Sequence, residues 1–418
     1  MSVKDRETGR VINSDLVAVA LGGDMNCYGV ARTFYEAYGV KSVLLGRTPV
    51  FPTAESGLFS DKIYDEGLLE DEVLIRLLKR VEAAYPGVKK FVFATNDDYV
   101  RHIIHNKSAI EEISDDFIVP VIDEELFDRL DDKDSFYEVC EEYGLPYPKS
   151  VVFDCASDDL RKFDIPFDYP IFIKPASNVI YFNFEFEGKQ KGYRIDSREE
   201  LFEVMSRIHS AGYPGKFIFQ EYIDGDDDSM FIYSAYCDRN SKVRMMSGGQ
   251  ILMHDRTPEM IGNYNAVGSA RDDELMNVLA EFLEKIGFVG ICHFDVQYDS
   301  SRGRYVVYEI NIRQGRSNYY MTASGMNYAR LLAEDYLTDA GIADSDPDSY
   351  AVADRPFIVS NVSRTNLAMA IGNKKVNSVP RESFYMFQLA PYDRCSQNSL
   401  YMKRLELAIM RAYMKYNK

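Results

Sequence analysis

Apolar residues fall along this chain in two patterns, short unbroken runs and runs that repeat every three or four positions. Leu16 to Leu21 is an unbroken run, LVAVAL, that reads as a buried strand. It ends in Gly22-Gly23-Asp24-Met25-Asn26 and passes into a helix over about Tyr28 to Tyr38, closed by Gly39. A strand from Ser42 to Leu45 follows, and this order of strand, glycine turn, helix and strand predicts a parallel βαβ unit. A helix over Asp71 to Tyr85 places Leu74, Leu77, Leu78 and Val81 on one face, and Pro86-Gly87 stops it. Lys90 to Ala94 is another buried strand, with Thr95-Asn96-Asp97-Asp98 at its carboxyl end and a helix over Tyr99 to Lys107 beyond. His102 and His105 on that helix read as surface residues.

A new unit starts near Leu126. It opens with a helix from Asp132 to Gly144 and continues with strands at Ser150 to Phe153 and Tyr169 to Pro175, the second ending on Lys174. A strand, a turn and a return strand are expected between Asn178 and Arg194, with Lys189 and Lys191 set between Gly188 and Gly192. After a helix over Arg198 to Ala211, a strand begins at Lys216 and breaks at Gly225 into the acidic run Asp226 to Asp228. Antiparallel structure is expected from Ser229 to Ser247, then a helix from Asp272 to Ile286. The stretch Gly290 to Tyr319 reads as a β-hairpin turning at Asp299 to Gly303. Glu309 and Asn311 lie two apart and so face the same side of a strand. Folding the hairpin sets Asp295 opposite Glu309, with Cβ atoms roughly 5 Å apart. Three hard oxygen donors then share a face beside Arg313 and Arg316. Such a set suits Mg²⁺, and its plain alternative is a solvated hairpin face.

Other polar positions also carry two readings. The loop after the first strand is either a tight structural turn or a small carboxylate or phosphate pocket on helix-start amides, lined by Gly23, Asp24, Asn26 and Arg32. Its spacing, GGDMNCYG, is not the G-x-G-x-x-G of a dinucleotide site. Lys174 is either a point charge for phosphate or an edge residue reaching for solvent. Lys189 and Lys191 are a flap over phosphates or an ordinary basic hairpin tip. The strand from Lys216 ends in exposed backbone amide and carbonyl groups and a side-chain amide that could pair with a nucleobase edge. An acid a few residues on could accept from ribose hydroxyls, although such runs are usually solvated loops or weak cation sites.

Composition narrows the class. At 418 residues the chain exceeds one core and predicts two or three domains. Its net charge of −18 argues against a nucleic-acid partner and requires local basic residues to hold any phosphate. Six scattered cysteines without a C-x-x-C pair fit a reducing compartment. No cationic leader with an apolar core opens the chain and no apolar run approaches a membrane span, so a cytoplasmic location is expected. Residues 1–14 read as a flexible tail.

In chain order, a lysine opening one lobe, a strand ending I-K-P, a Q-E-Y-I-x-G-D hinge, an F-D and an E-I-N-x-R resemble the ATP-grasp ligases. The stretches LGGDMNCYGVARTFYEAYG, KDSFYEVCEEYGLPYPKS and EINIRQGRSNYYMTASGMNYARLLAEDY resemble one branch of them, the peptidoglycan D-aspartate ligases. The resemblance implies an α/β chain with α+β lobes. An N-terminal parallel βαβ pre-ATP-grasp domain (15–125) would precede a two-lobed ATP-grasp fold with antiparallel sheets (126–225 and 226–340) and a C-terminal extension (341–418). It implies that Lys133 and Lys174 contact ATP phosphates, that Gln220 and the Ile223 backbone read adenine beside Glu221, and that Asp227 holds the ribose. Asp295, Glu309 and Asn311 would hold two Mg²⁺ ions, and Arg313 and Arg316 would steady an acyl phosphate or grip a substrate carboxylate. A glycine-rich flap directly after the I-K-P strand is missing from the sequence, which leaves Lys189 and Lys191 as candidates to cover the phosphates. The implied partners are D-aspartate and a peptidoglycan precursor bearing a lysine amine.

After Asp335 the pattern weakens. The stretch from Ala343 to Asp354 reads as an acidic connecting loop, and Ser399 to Lys418 as a helix. That helix sets Met402, Leu405, Ile409, Ala412, Tyr413 and Tyr416 opposite Lys403, Arg404, Arg411, Lys415 and Lys418, with Leu407 and Met414 interrupting the basic side. Either it packs on the core with a solvated basic face, or it docks weakly on an anionic membrane surface or on the diphosphate of a cell-wall precursor.

Overall fold

A short antiparallel pair, β1 (Val3–Lys4) with β2 (Val11–Ile12), opens the structure, a computed structural model. Described are residues 3–416 except 8, 10, 13, 132, 177–180, 182–183, 191, 257–262, 314, 316–318, 339–349, 388–389 and 394–399, with backbone alone at 133, 134, 227, 400 and 401. Asp5, between the two strands, is buried and paired with Arg330. The described part of the expected tail is therefore anchored, because a buried carboxylate is stable only with a partner.

The first apolar runs form a five-stranded parallel sheet in the order β5-β4-β3-β6-β7. In chain order its elements are β3 (Leu16–Leu21), α1 (Met25–Tyr38), β4 (Ser42–Gly46), β5 (Phe59–Tyr64), α2 (Asp71–Ala84), β6 (Lys89–Ala94), α3 (Asp97–His105), α4 (Lys107–Glu111) and β7 (Phe117–Ile118). All of β3 is buried, and Gly39 ends α1 in the left-handed conformation that a side chain resists. The hydrophobic pattern missed the two edge strands of this sheet, β5 because its FSDKIY is polar and β7 because it is two residues long. His102 is buried beside Asp71 and Asn106, which corrects its assignment to the surface; His105 is exposed.

Two further helices, α5 (Glu124–Asp131) and α6 (Lys133–Tyr143), close this part. The chain then divides into two compact units, the second being Pro146–Gly225 with Gln297–Tyr308. That unit holds an antiparallel sheet ordered β10-β9-β11-β8, from β8 (Ser150–Asp154), β9 (Ile171–Pro175), β10 (Tyr193–Ile195) and β11 (Lys216–Glu221), with α7 (Arg198–Ser210) beside it. Of the pair of strands expected between 178 and 194, the described residues show only the return strand.

Residues 1–145, 226–296 and 309–418 make up the other unit. The second sheet, ordered β16-β15-β12-β13-β14-β18-β19 with β17 beside β13, contains β12 (Met230–Cys237), β13 (Val243–His254), β14 (Tyr264–Ala270), β15 (Gly290–Asp299) and β16 (Arg304–Asn311), of which residues 297–308, at the hairpin tip, are counted with the Pro146–Gly225 unit. α8 (Asp273–Lys285) precedes β15, and α9 (Tyr319–Ala323) and α10 (Tyr328–Leu337) follow β16. β17 (Ala351–Ala353), β18 (Ile358–Ser360), α11 (Arg364–Ile371), α12 (Asn373–Asn377), β19 (Phe384–Met386) and α13 (Leu400–Tyr416) complete the chain. The expected loop from 343 to 354 thus contains a strand, and the expected extension continues this sheet rather than standing apart. Residues 126–145 likewise fall with the N-terminal part and not with the lobe that follows.

One core ties the two sheets of this unit together: Phe34, Phe91 and Phe93 cluster with Tyr328 and Leu332. At the entry to β15, Gly290 has φ +97, and a Cβ there would lie 2.2 Å from the Pro120 carbonyl oxygen. Only glycine lets the strand pass that backbone. Gly290→Ala is expected to lower stability by roughly 2–4 kcal/mol. Gly287→Ala, at φ +73 where a Cβ would make only an ordinary contact with Ser241 Oγ at 3.9 Å, should cost only about 1 kcal/mol. Chemical denaturation of the two variants checks the difference, and equal losses would exclude the backbone clash as the cause.

Candidate active site

The two arms of the hairpin place their polar residues by alternation. Phe294 and Val296 are buried on either side of Asp295, and Ile310 and Ile312 flank Asn311 in the same way. Asp295, Glu309 and Asn311 are left half-buried on one face. Asn311 Nδ2 donates to Asp295 Oδ2 at 3.2 Å and leans toward Glu309 Oε1 at 3.5 Å, while its own Oδ1 accepts from Arg313 Nη2 at 3.1 Å. Burial, and then the neighbouring Glu309 carboxylate, raise the Asp295 carboxyl well above the ordinary carboxylate range. Arg313 pulls the other way. Two acids crowded with so little water want a cation between them.

Magnesium fits this donor set on chemical grounds. Among the described residues no three His, Cys, Asp or Glu side chains gather as a ligand cluster. Mg²⁺ does not need one, since it is held by one or two carboxylates together with water and substrate phosphates. A half-turn of the Asn311 amide would turn its oxygen toward the two acids.

The first sheet delivers the other half of the cluster, from the carboxyl ends of β3 and β6, where open parallel sheets bind ligands. Gly22, at φ +139, leaves no room for a Cβ beside Thr95 Oγ1. Asp24 then caps α1, accepting from the amides of Asn26 (3.0 Å) and Cys27 (3.2 Å). Gly23 contributes its carbonyl to Thr53 Oγ1 at 2.7 Å. Asn26 Nδ2 donates to the Thr95 carbonyl at 2.8 Å, and its Oδ1 is buried without a hydrogen-bond partner among the described residues. Burial raises the Asp24 carboxyl, and the Cys27 and Asn26 amides, then the Arg313 charge, temper the rise. Arg313 itself donates from Nε to Asp97 Oδ1 at 2.5 Å. One guanidinium therefore links the hairpin to β6's end and lies within electrostatic reach of Asp24.

Six of the expected site residues meet here: Asp24, Asn26, Asp295, Glu309, Asn311 and Arg313. Arg32 does not. It is buried further along α1, donating to Glu36 Oε1 (3.0 Å) and the Met386 carbonyl (2.8 Å) and lying 3.5 Å over the Tyr319 ring. One residue went unnoticed in the sequence, and another carried two readings there. Asp97 belongs to the polar carboxyl end of a parallel strand, which reads either as a place where open sheets bind ligands or as the start of a helix. His293 is buried with its ring against Gly315, where a Cβ would come within 2.2 Å, and its Nε2 lies 3.9 Å from Asp295 Oδ1. Burial, and then Arg313, push this imidazole down to about 3, so it is neutral. Its place two residues before Asp295, hence on the same strand face, was the available signal.

The second unit holds the other candidates. Lys174 Nζ donates to Gln220 Oε1 at 3.3 Å across β9 and β11. Glu221 is buried and engaged by Arg302 and Arg304, both at 3.1 Å, so its side chain is a structural ion pair. The Ile223 carbonyl accepts from Gln297 Nε2 at 3.3 Å. Lys189 lies against the Tyr181 ring and pairs with Glu185 at 3.0 Å. The side chains of Lys133 and Asp227, and all of Lys191 and Arg316, lie outside the described residues.

No family model matches the chain. A D-aspartate ligase of Enterococcus faecium is 38% identical over 328 residues, covering 77% of each chain. Two solved structures share the fold: the L-amino acid ligase of Bacillus licheniformis (TM-score 0.52, 14% identity, 78% of this chain and 75% of that one) and the ADP complex of an N5-carboxyaminoimidazole ribonucleotide synthetase (TM-score 0.59, 9% identity, 97% and 99%). A parallel domain ahead of antiparallel sheets is the ATP-grasp architecture seen in these enzymes. On sequence and fold together, the chain belongs to the D-aspartate ligase family of ATP-grasp enzymes.

Proposed function

We propose that the protein joins the β-carboxylate of D-aspartate to the lysine ε-amine of a peptidoglycan precursor at the expense of ATP, forming ADP and phosphate. The 38% identity to a D-aspartate ligase over 77% of both chains carries this reading. The cluster of Asp295, Glu309, Asn311 and Arg313 with Asp24 and Asn26 supports it chemically.

A carboxylate is a poor electrophile and ATP is a polyanion, so the first task is to bring like charges together. Asp295, Glu309 and Asn311 would hold two Mg²⁺ ions, whose charge offsets that of the β- and γ-phosphates. Lys174, Lys133, Gln220, Ile223 and Asp227 would hold the nucleotide. A carboxylate oxygen of the amino acid attacks the γ-phosphorus and ADP leaves, giving an acyl phosphate. The neutral amine then attacks the acyl carbon, phosphate departs with that oxygen, and the amine proton passes to solvent or a base. Arg313 would steady the charge that moves through these steps. Asn26 Oδ1 and Asp24 offer acceptors suited to the substrate's ammonium group. The reading also takes in a cytoplasmic location.

Two measurements test it. Phosphate release from ATP, screened with D- and L-amino acids and a lysine-containing muropeptide, should be greatest with D-aspartate. Release with no D-amino acid would overturn the reading, whereas preference for another acid would overturn its specificity alone. Glu309→Gln should keep the fold and lower phosphate release by about 10²-fold or more. Wild-type turnover in that variant would remove Glu309 from the metal set.

A further inference from the structure

The apolar face that the sequence offers on the C-terminal helix α13 is already used. Met402 and Met410 are buried, and Ile409 and Tyr413 pack on a cluster that includes Met253, Ile358, Leu367 and Val376. What stays in solvent is the pair that interrupts the basic side, Leu407 (49% exposed) and Met414 (67%), joined by Met369 of α11 (68%). These three line a groove of about 680 Å³ between α11 and α13. Nine large apolar side chains are exposed among the described residues, and with Tyr416 four of them belong to these two helices. That is a cluster and not the usual scatter of a surface.

The charge around the groove runs against the rest of the chain. Residues 361–418 hold ten Lys and Arg against three Asp and Glu, in a protein of net charge −18. Lys403, Arg404, Arg411 and Lys415 are exposed on α13, as is Lys374 on α12. The acid nearest to them in the helix, Glu406, is tied to the Ser363 amide and to Asn366 Nδ2, both at 2.6 Å. Among the described residues no helix is long and apolar enough to cross a membrane.

We propose that this groove and its basic rim dock the protein on an anionic lipid surface. Apolar side chains enter the boundary between headgroups and acyl chains while the lysines and arginines meet lipid phosphates. Methionines on flexible, unbranched stems suit so irregular a phase. The acids elsewhere on the chain do not prevent this, because at physiological salt their repulsion is screened beyond about 8 Å. A second copy is the less fitting occupant, since a two-fold contact through this patch would set basic rim against basic rim. The proposal stands independently of which acid the enzyme ligates.

Co-sedimentation of the full chain with phosphatidylglycerol-containing vesicles, against pure phosphatidylcholine vesicles, tests it. Binding is expected only to the anionic vesicles and should weaken as salt rises. Lys403→Ala and Arg411→Ala should each lower the partition coefficient about fivefold. The double variant Leu407→Glu, Met414→Glu should lose vesicle binding at least tenfold with its melting temperature and phosphate release unchanged. Absence of wild-type binding to anionic vesicles would overturn the proposal, and so would undiminished binding by the double variant. Self-association that the double variant abolishes, with no vesicle binding, would assign the patch to a second copy.

Discussion

Two carboxylates facing the same way on neighbouring strands repel each other, and much of this unit's polar architecture answers that repulsion. Burial of the flanking Phe294, Val296, Ile310 and Ile312 fixes the register that exposes Asp295 and Glu309 together. Asn311 bridges them, Arg313 orders Asn311, and Asp97 orders Arg313. Burial, and then the Glu309 carboxylate beside it, make Asp295 resist ionisation, and Arg313 offsets only part of this. Under the proposed function, cations arriving with a nucleotide would offset this crowding of acids.

The same chain of contacts ties the N-terminal sheet to a hairpin that lies far along the chain. Asp24 and Asn26 stand at the end of β3 and Asp97 at the end of β6, and the aromatic core around Phe93 and Tyr328 keeps these strands registered with the second sheet. Gly22, Gly290 and Gly315 sit where the backbone must pass another group closely. Positioning here rests on packing between sheets more than on any single hydrogen bond.

Much of this was legible in the sequence because it depends on local periodicity. Strands β3, β6 and β15, and the shared face of Glu309 and Asn311, follow from runs and from alternation. Arg313 could be named as a neighbour of the acids, but not its bond to Asp97, which closes a gap of more than two hundred residues and obeys no local rule. Arg32 looked equivalent to Asn26 because both lie on α1. Six residues make almost two helical turns, roughly 9 Å of rise, and that carried it into an aromatic and ionic cluster instead. β17 and β19 are three residues each and parallel to their partners, so neither length nor pattern announced them. Glu221 looked like part of a nucleotide contact because its two arginines come from the hairpin tip, far along the chain.

Activation by phosphoryl transfer leaves a mark on the products. If the β-carboxylate of D-aspartate attacks ATP, one of its oxygen atoms must leave in the phosphate when the amine displaces it. With D-aspartate labelled by ¹⁸O in the β-carboxylate, mass spectrometry of the released phosphate should find one ¹⁸O per molecule. Unlabelled phosphate, formed alongside the amide product, would contradict an acyl-phosphate route.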